Sequence, residues 1–161
     1  MSAILRAATE RDAALLAQLH RECFEEKWDE ASLHSVLTHP ATSAFIAGDA
    51  AANDLQAFIA IQTFADEAEI LTLGTAPTAR RKGLAKSLLF HAAAHAAEYG
   101  ARTIFLEVAE TNAAAAALYA GAGFAIVGRR KSYYRGEAGQ GIDALRLSAA
   151  LPLAAGRGIV R

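Results

Sequence analysis

After Asp12 the apolar residues Leu15, Leu16, Leu19 and Cys23 recur at three- and four-residue spacing, a stripe that predicts a helix. Ahead of it Ile4 to Ala8 reads as a short strand, with Thr9 placed to cap the helix. Beyond Trp28, Asp29 is placed as the N-cap of a second helix carrying Leu33, Val36 and Leu37, which Pro40 ends. Ala44 to Ala47 and Leu55 to Phe64 read as two arms of a hairpin, because Gly48-Asp49 and Asn53-Asp54 bracket a turn. Glu69 to Leu73 forms a further strand, closed by Pro77.

The second half carries the longest helical pattern. From about Lys82 to Tyr99, Leu84, Leu88, Leu89 and Ala92 fall on one inward face, and Gly100 is the stop. Thr103 to Val108 is rich in β-formers without clean alternation, as expected of a strand covered on both faces. Asn112 to Ala122 predicts another helix, stopped at Gly123. Phe124 to Val127 and Ala144 to Leu147 are the last strands, joined across the Gly-rich span 136–141. The predicted order is β-α-α-β-β-β-α-β-α-β-β, a mixed α/β fold with one strand-helix-strand crossover. A single domain over residues 1–151 is expected, with a loose tail over 152–161.

Composition narrows the classes of function. A chain of 161 residues can bury a real core, but much of its 53% hydrophobic content is alanine. Alanine favours helices and adds little volume, so Leu, Ile, Val and Phe must supply most of the packing. A net charge of −1 gives no reason to expect a nucleic-acid surface. No apolar run approaches the roughly 20 residues of a membrane span, and the first residues lack a signal-peptide pattern, so a cytoplasmic protein is expected. The single cysteine, Cys23, excludes an internal disulfide and reads as packing rather than as a catalytic thiol. His91 and His95 have a spacing that suits zinc, yet the run lacks a Glu beside the first His and a third ligand, so no metal is expected.

Chemistry concentrates in Arg80-Arg81-Lys82-Gly83-Leu84-Ala85, which follows a strand and opens the long helix. Helix N-termini present free N–H groups and a partial positive charge, so basic residues there oppose the dipole unless an anion joins them. The plainer alternative is a solvated basic helix start. The loop is neither a Walker loop nor a dinucleotide fingerprint, for it lacks Gly-Lys-Ser/Thr and G-x-G-x-x-G. Further on, Glu107 ends an otherwise apolar strand, where a carboxylate is costly without a partner or a task. Asn112 follows at a helix start and Tyr119 about two turns later; taken singly they read as a solvent-facing Glu, a capping Asn and a core Tyr.

Over about residues 3–150 the chain resembles the GNAT acetyltransferases and, within them, the ribosomal-protein-alanine N-acetyltransferases (RimI type). The likeness rests on Leu71-Thr72-Leu73-Gly74-Thr75-Ala76-Pro77, on Arg80 to Ala85, and on Leu106-Glu107-Val108 with Asn112-Ala113-Ala114-Ala115. It continues through Ala117-Leu118-Tyr119, Gly123-Phe124 and Tyr133-Tyr134. The resemblance implies a GNAT fold with a mixed, mostly antiparallel central sheet flanked by helices. It also implies acetyl-CoA as cosubstrate and no metal.

Carried over residue by residue, the backbone of Leu73, Gly74 and Thr75 would flank the pantetheine arm and thioester. Arg80, Arg81, Lys82, Gly83, Leu84 and Ala85 would wrap the pyrophosphate, and Asn112 would contact the cofactor. Glu107 matches the proton acceptor and Tyr119 the proton donor. Trp28, Tyr133 and Tyr134 stand where the family frames its peptide. Gly74-Thr75 replaces the more usual Ala-Val, and Lys27 stands where proline is common. The implied acceptor is the N-terminal α-amine of a protein, above all the N-terminal alanine of a basic small-subunit ribosomal protein, with no nucleic acid or membrane partner. A monomer or weak dimer is expected. Acetylation of a small amine, a lysine or another protein terminus is the near alternative, and a non-catalytic acetyl-CoA-binding module the distant one. The acidic group Glu25, Glu26, Asp29 and Glu30 suits either a basic peptide or a solvated turn.

Overall fold

A computed structural model describes residues 4–24, 28–49 and 54–154. Its elements are β1 (Ile4–Ala7), α1 (Ala13–Cys23), α2 (Glu30–Thr38), β2 (Thr42–Asp49), β3 (Asp54–Phe64) and β4 (Glu67–Thr75). They continue with α3 (Leu84–Glu98), β5 (Thr103–Ala109), α4 (Ala113–Gly121), β6 (Ala125–Arg135) and β7 (Gly141–Ala150). The order is the one that the hydrophobic pattern predicts. The strands form one sheet in the order β1-β2-β3-β4-β5-β7-β6, antiparallel except where β4 and β5 run parallel through the α3 crossover.

Central strands read as unbroken apolar runs because both faces of the sheet are covered. Phe45, Ala47, Ile59 and Ile61 join the cluster built with Leu88, Leu89, Ala92 and Ala96 of α3. Their neighbours Ile46 and Phe58 face the other way, into a cluster with Leu16, Leu19 and Leu33 of α1 and α2. Strand alternation sends adjacent residues to opposite faces, so one sequence run feeds two cores. His91 and His95, the zinc-spaced pair, pack edge-on to Phe45, and His95 Nε2 lies 2.9 Å from Ser43 Oγ.

The boundaries depart from expectation at several elements; β2 and β4 each run two residues further at both ends. The first turn after Thr9 is a short 3-10 segment, Glu10–Asp12, and α1 starts only at Ala13. The long helix starts at Leu84 rather than Lys82, because Arg81 (φ +66°) and Gly83 (φ +80°) hold left-handed conformations that no helix continues. Strands β6 and β7 extend well past the apolar cores at Val127 and Leu147, since charged residues also pair along an edge ladder. Gly100 and Gly123 follow α3 and α4 at positive φ, as read from the sequence. Leu151 and Leu153 pack on the main core, while 155–161, most of the expected tail, lie outside the described residues. So do Glu25, Glu26, Lys27 and Asn53.

Asp12 ties the N-terminal strand to α1. Its carboxylate accepts from Arg6 Nη1 (3.1 Å) and Nη2 (2.8 Å) and from the Thr9 N–H (2.8 Å). The Arg6 guanidinium, helped by Thr9, holds the Asp12 carboxyl below its ordinary value. A depressed folded-state value means stability that is present above the unfolded value and lost as pH falls through the folded one. Asp12→Ala is expected to cost about 1–2 kcal/mol at pH 7. Urea melts at pH 7 and pH 3 check this: the difference from wild type should shrink as pH falls below the ordinary carboxylate value of about 3.9 and toward the lower folded-state one. Equal stability at pH 7 would show that the pair does not hold the strand.

Candidate active site

The parallel pairing of β4 with β5 stops early. It joins Glu67, Ala68 and Glu69 to Thr103, Ile104 and Phe105, and beyond these residues the two strands have no common ladder. A bulge in β4 begins at the same level: Ile61 pairs with Ile70 and Ala60 with Thr72, leaving Leu71 as the extra residue. Such a bulge bends the strand and re-aims its side chains. The two strands diverge around a cavity of about 220 Å³, lined by Ile70 to Leu73 of β4 and Leu106 to Val108 of β5. Backbone edges facing this gap lack a strand partner and are available to a ligand.

At the end of β4 the chain passes through Ala76 and a 3-10 turn (Pro77–Ala79) into the basic loop. Arg80 Nε donates to the Thr75 carbonyl (3.2 Å), bracing the loop against the strand. Gly83 is the N-cap of α3 and supplies no side chain to cap it. The first-turn N–H groups therefore face outward beside Arg80, Arg81 and Lys82, a setting that favours an anion. A Cβ placed on Gly83 would meet nothing within 4 Å, so the space over the loop is open. Cys23 behaves as packing: it lies against the α1–α2 core, and burial pushes its thiol up.

Glu107 and Tyr119 line the same cavity from β5 and α4, and Asn112 joins them from the turn between. Leu106 and Val108 point into the core, so alternation turns Glu107 to the opposite face. Its side chain is 18% exposed, and Arg130 Nε on β6 lies 2.9 Å from its Oε2. The contact is an ion pair without hydrogen-bond alignment. Tyr119 is the buried residue of α4; its ring stands edge-on to Phe124 (5.3 Å), and burial drives its phenol well above its ordinary value. The phenol therefore keeps its proton at neutral pH. Asn112 Oδ1 caps α4 by accepting from the Ala115 N–H (3.1 Å).

Across the cavity stands an aromatic wall. Trp28 stacks on His20 (5.0 Å between ring centres, 14° between planes), and His20 also packs against Phe24 (4.6 Å). Tyr134 lines the cavity, whereas its neighbour Tyr133 is largely exposed and faces Arg130. Of the β4 backbone set, Leu73 lines the cavity and Gly74 and Thr75 follow it along the strand. Gly74 is small for a packing reason: a Cβ there would sit 3.0–3.1 Å from the rings of Phe58 and Phe24.

Three contributors escape the sequence pattern. His20 and Phe24 sit on and just beyond the helical stripe of α1, and Arg130 lies in a run of basic residues. Arg130 is the last paired residue before a bulge, where residues 131–133 of β6 oppose only residue 143 of β7. Asp143 accepts from the Ser132 N–H (2.9 Å) and from Arg129 (2.9 Å), and Ser132 takes φ +53°.

A sheet split beside a crossover helix, a basic loop at that helix's start and a carboxylate on the far strand together define a GNAT-type site. Residues 13–124 match the acetyltransferase (GNAT) family, and the chain belongs to it. Over 80 residues it is 38% identical to the ribosomal protein bS18-alanine N-acetyltransferase of Escherichia coli (strain K12), covering 50% of this chain and 54% of that one. Identity is also 38% over 101 residues to the streptothricin acetyltransferase of Streptomyces lavendulae, covering 62% and 53%. The chain thus spans about half the length of the curated relatives it matches. The crystal structure of the ribosomal-protein-S18-alanine N-acetyltransferase from Escherichia coli superposes with a TM-score of 0.86 at 25% identity, covering 96% of this chain and 97% of that one.

Proposed function

We propose that this protein transfers the acetyl group of acetyl-CoA to the N-terminal α-amine of a protein, with the N-terminal alanine of a small-subunit ribosomal protein as acceptor. One observation carries the reading: Glu107, Tyr119 and Asn112, from two elements and a turn, share a cavity with the open edge of β4 and an aromatic wall. The Escherichia coli alanine N-acetyltransferase, similar to this chain in both sequence and structure, supports the acceptor class. A cytoplasmic setting and a single catalytic domain over 1–151 belong to the same proposal.

The residues present fit acetyl-CoA. An uncapped helix N-terminus with open space at Gly83 suits a pyrophosphate, which Arg80, Arg81, Lys82 and the N–H groups of Leu84 and Ala85 would hold. The free edge at Leu73 to Thr75 would accept the amides of the pantetheine arm, and Asn112 would offer its remaining amide N–H₂. When bound, the cosubstrate supplies a thioester carbonyl and a thiol leaving group. Glu107 would take the proton from the acceptor nitrogen, directly or through water. N–H groups of Leu73 to Thr75 would meet the charge developing on the carbonyl oxygen. Tyr119, held protonated by burial, would pass a proton to the departing sulfur. Trp28, Tyr133 and Tyr134 would frame the peptide.

An α-amine suits a single carboxylate base. Its pKa is near ~8 against ~10.4 for lysine, so the lysine amine costs about 3 kcal/mol more to deprotonate at neutral pH. A small-amine acceptor is the second reading, favoured by the longer matched span of the streptothricin enzyme. Mass spectrometry separates the two. The acceptors are an Ala-start basic hexapeptide, the same peptide with a blocked α-amine and a free lysine, and a polyamine. Acetylation confined to the free α-amine supports the proposal. Acetylation of the lysine or polyamine alone discards it in favour of the second reading, and acetyl-CoA binding without transfer to any acceptor points to a binding module.

A further inference from the structure

We propose that Arg130 is a specificity-determining residue: seated on Glu107, it admits a lone α-amine and turns away polyamines. The inference rests on the α-amine reading above and names how the same site enforces it.

Among the described residues, Glu107 is the one carboxylate lining the cavity. Left bare among aromatic rings, it would attract any ammonium, and a polyamine more than a peptide terminus. Arg130 removes that attraction by bringing a permanent cation to within 2.9 Å of Oε2. Its neighbour Arg129 is satisfied by Glu110 and Asp143, whereas Arg130 has Glu107 as its ion-pair partner and the Tyr133 ring at 5.2 Å. Arg130 directly precedes the β6 bulge, which Asp143 fastens through the Ser132 N–H.

The surrounding groups leave this role to Arg130. From β7, Arg146 stands opposite Glu107 in register, but it turns toward Glu69 (3.8 Å) and the face of Phe105 (4.7 Å). From α1, His20 is stacked under Trp28; Tyr119 of α4 and Tyr134 of β6 are phenols. Arg130 is also able to yield. Its side chain is 57% exposed and its contact with Glu107 is not aligned as a hydrogen bond, so it is free to swing aside and uncover the carboxylate for an incoming neutral amine. A second cation finds like charge, and discrimination of this kind works by repulsion as much as by fit.

The test compares wild type with Arg130→Gln, Arg130→Met and Arg130→Lys. The acceptors are a lysine-free Ala-start peptide, its blocked counterpart with one lysine, and spermidine. Arg130→Gln and Arg130→Met are expected to raise the spermidine-to-peptide ratio of kcat/KM by about 10-fold or more, chiefly by lowering KM for spermidine. Arg130→Lys should stay within about 3-fold of the wild-type ratio, because it keeps the charge. A merely structural role would lower all rates together and leave the ratio in place, which overturns the inference. So does an Arg130→Lys that behaves like Arg130→Gln. A wild-type enzyme that itself prefers spermidine over the peptide overturns the α-amine reading and this inference with it. A peptide-preferring wild type with an unmoved ratio in the variants overturns this inference alone.

Discussion

Glu107→Gln is expected to lower turnover by about 10²-fold or more while acetyl-CoA affinity stays nearly intact. The amide keeps the shape of the carboxylate and loses the capacity to take a proton at neutral pH. Such a loss corresponds to roughly 2.7 kcal/mol of barrier, within the range of a positioned base. Position supports so large an effect: the side chain stands in the gap between β4 and β5, mostly covered, beside Tyr119 and Asn112. Removing its charge also releases Arg130 from its ion pair, so peptide KM should be recorded alongside kcat. Single-turnover acetylation and calorimetric titration of acetyl-CoA check the two halves separately. Equal turnover in the variant would remove Glu107 as the base.

The second large effect lies at the other end of the cleft. Gly83→Glu is expected to weaken acetyl-CoA binding by about 10²-fold or more, through a carboxylate set against the pyrophosphate and a side chain filling its space. Two contributions need separating, because Gly83 sits at φ +80°, where any L side chain is strained by about 1–2 kcal/mol. Gly83→Ala isolates the strain: its Cβ meets no protein atom within 4 Å, so it should lower the melting temperature and change affinity far less. Titration of acetyl-CoA into both variants gives the comparison. Unchanged affinity in Gly83→Glu would sink the pyrophosphate assignment for the loop.

Local pattern carried the element order, because each helix and strand declares itself through the period of its apolar positions. Asp29, Thr9 and Asn112 were legible as caps for the same reason, since capping joins residues two or three positions apart. The basic loop was legible as a helix start, although its left-handed residues delay α3 to Leu84. Strands β6 and β7 were read short, because an edge ladder tolerates charged and polar residues that mimic a loop.

What the chain alone determined is therefore the set of elements, the loop that opens α3, and the pairing of Glu107 and Tyr119 as groups worth watching. Only tertiary structure decided their surroundings: the early end of the β4–β5 ladder, the seat of Arg130 on Glu107, and the wall formed by His20, Phe24 and Trp28. It also supplied the reason for Gly74, which is the space taken by Phe24 and Phe58. The division is physical. Capping and amphipathic period act over a few residues and leave their mark in sequence spacing. A strand that splays from its neighbour, and an arginine of β6 that meets a carboxylate of β5, depend on contacts between segments well separated in the chain, and no local pattern encodes them.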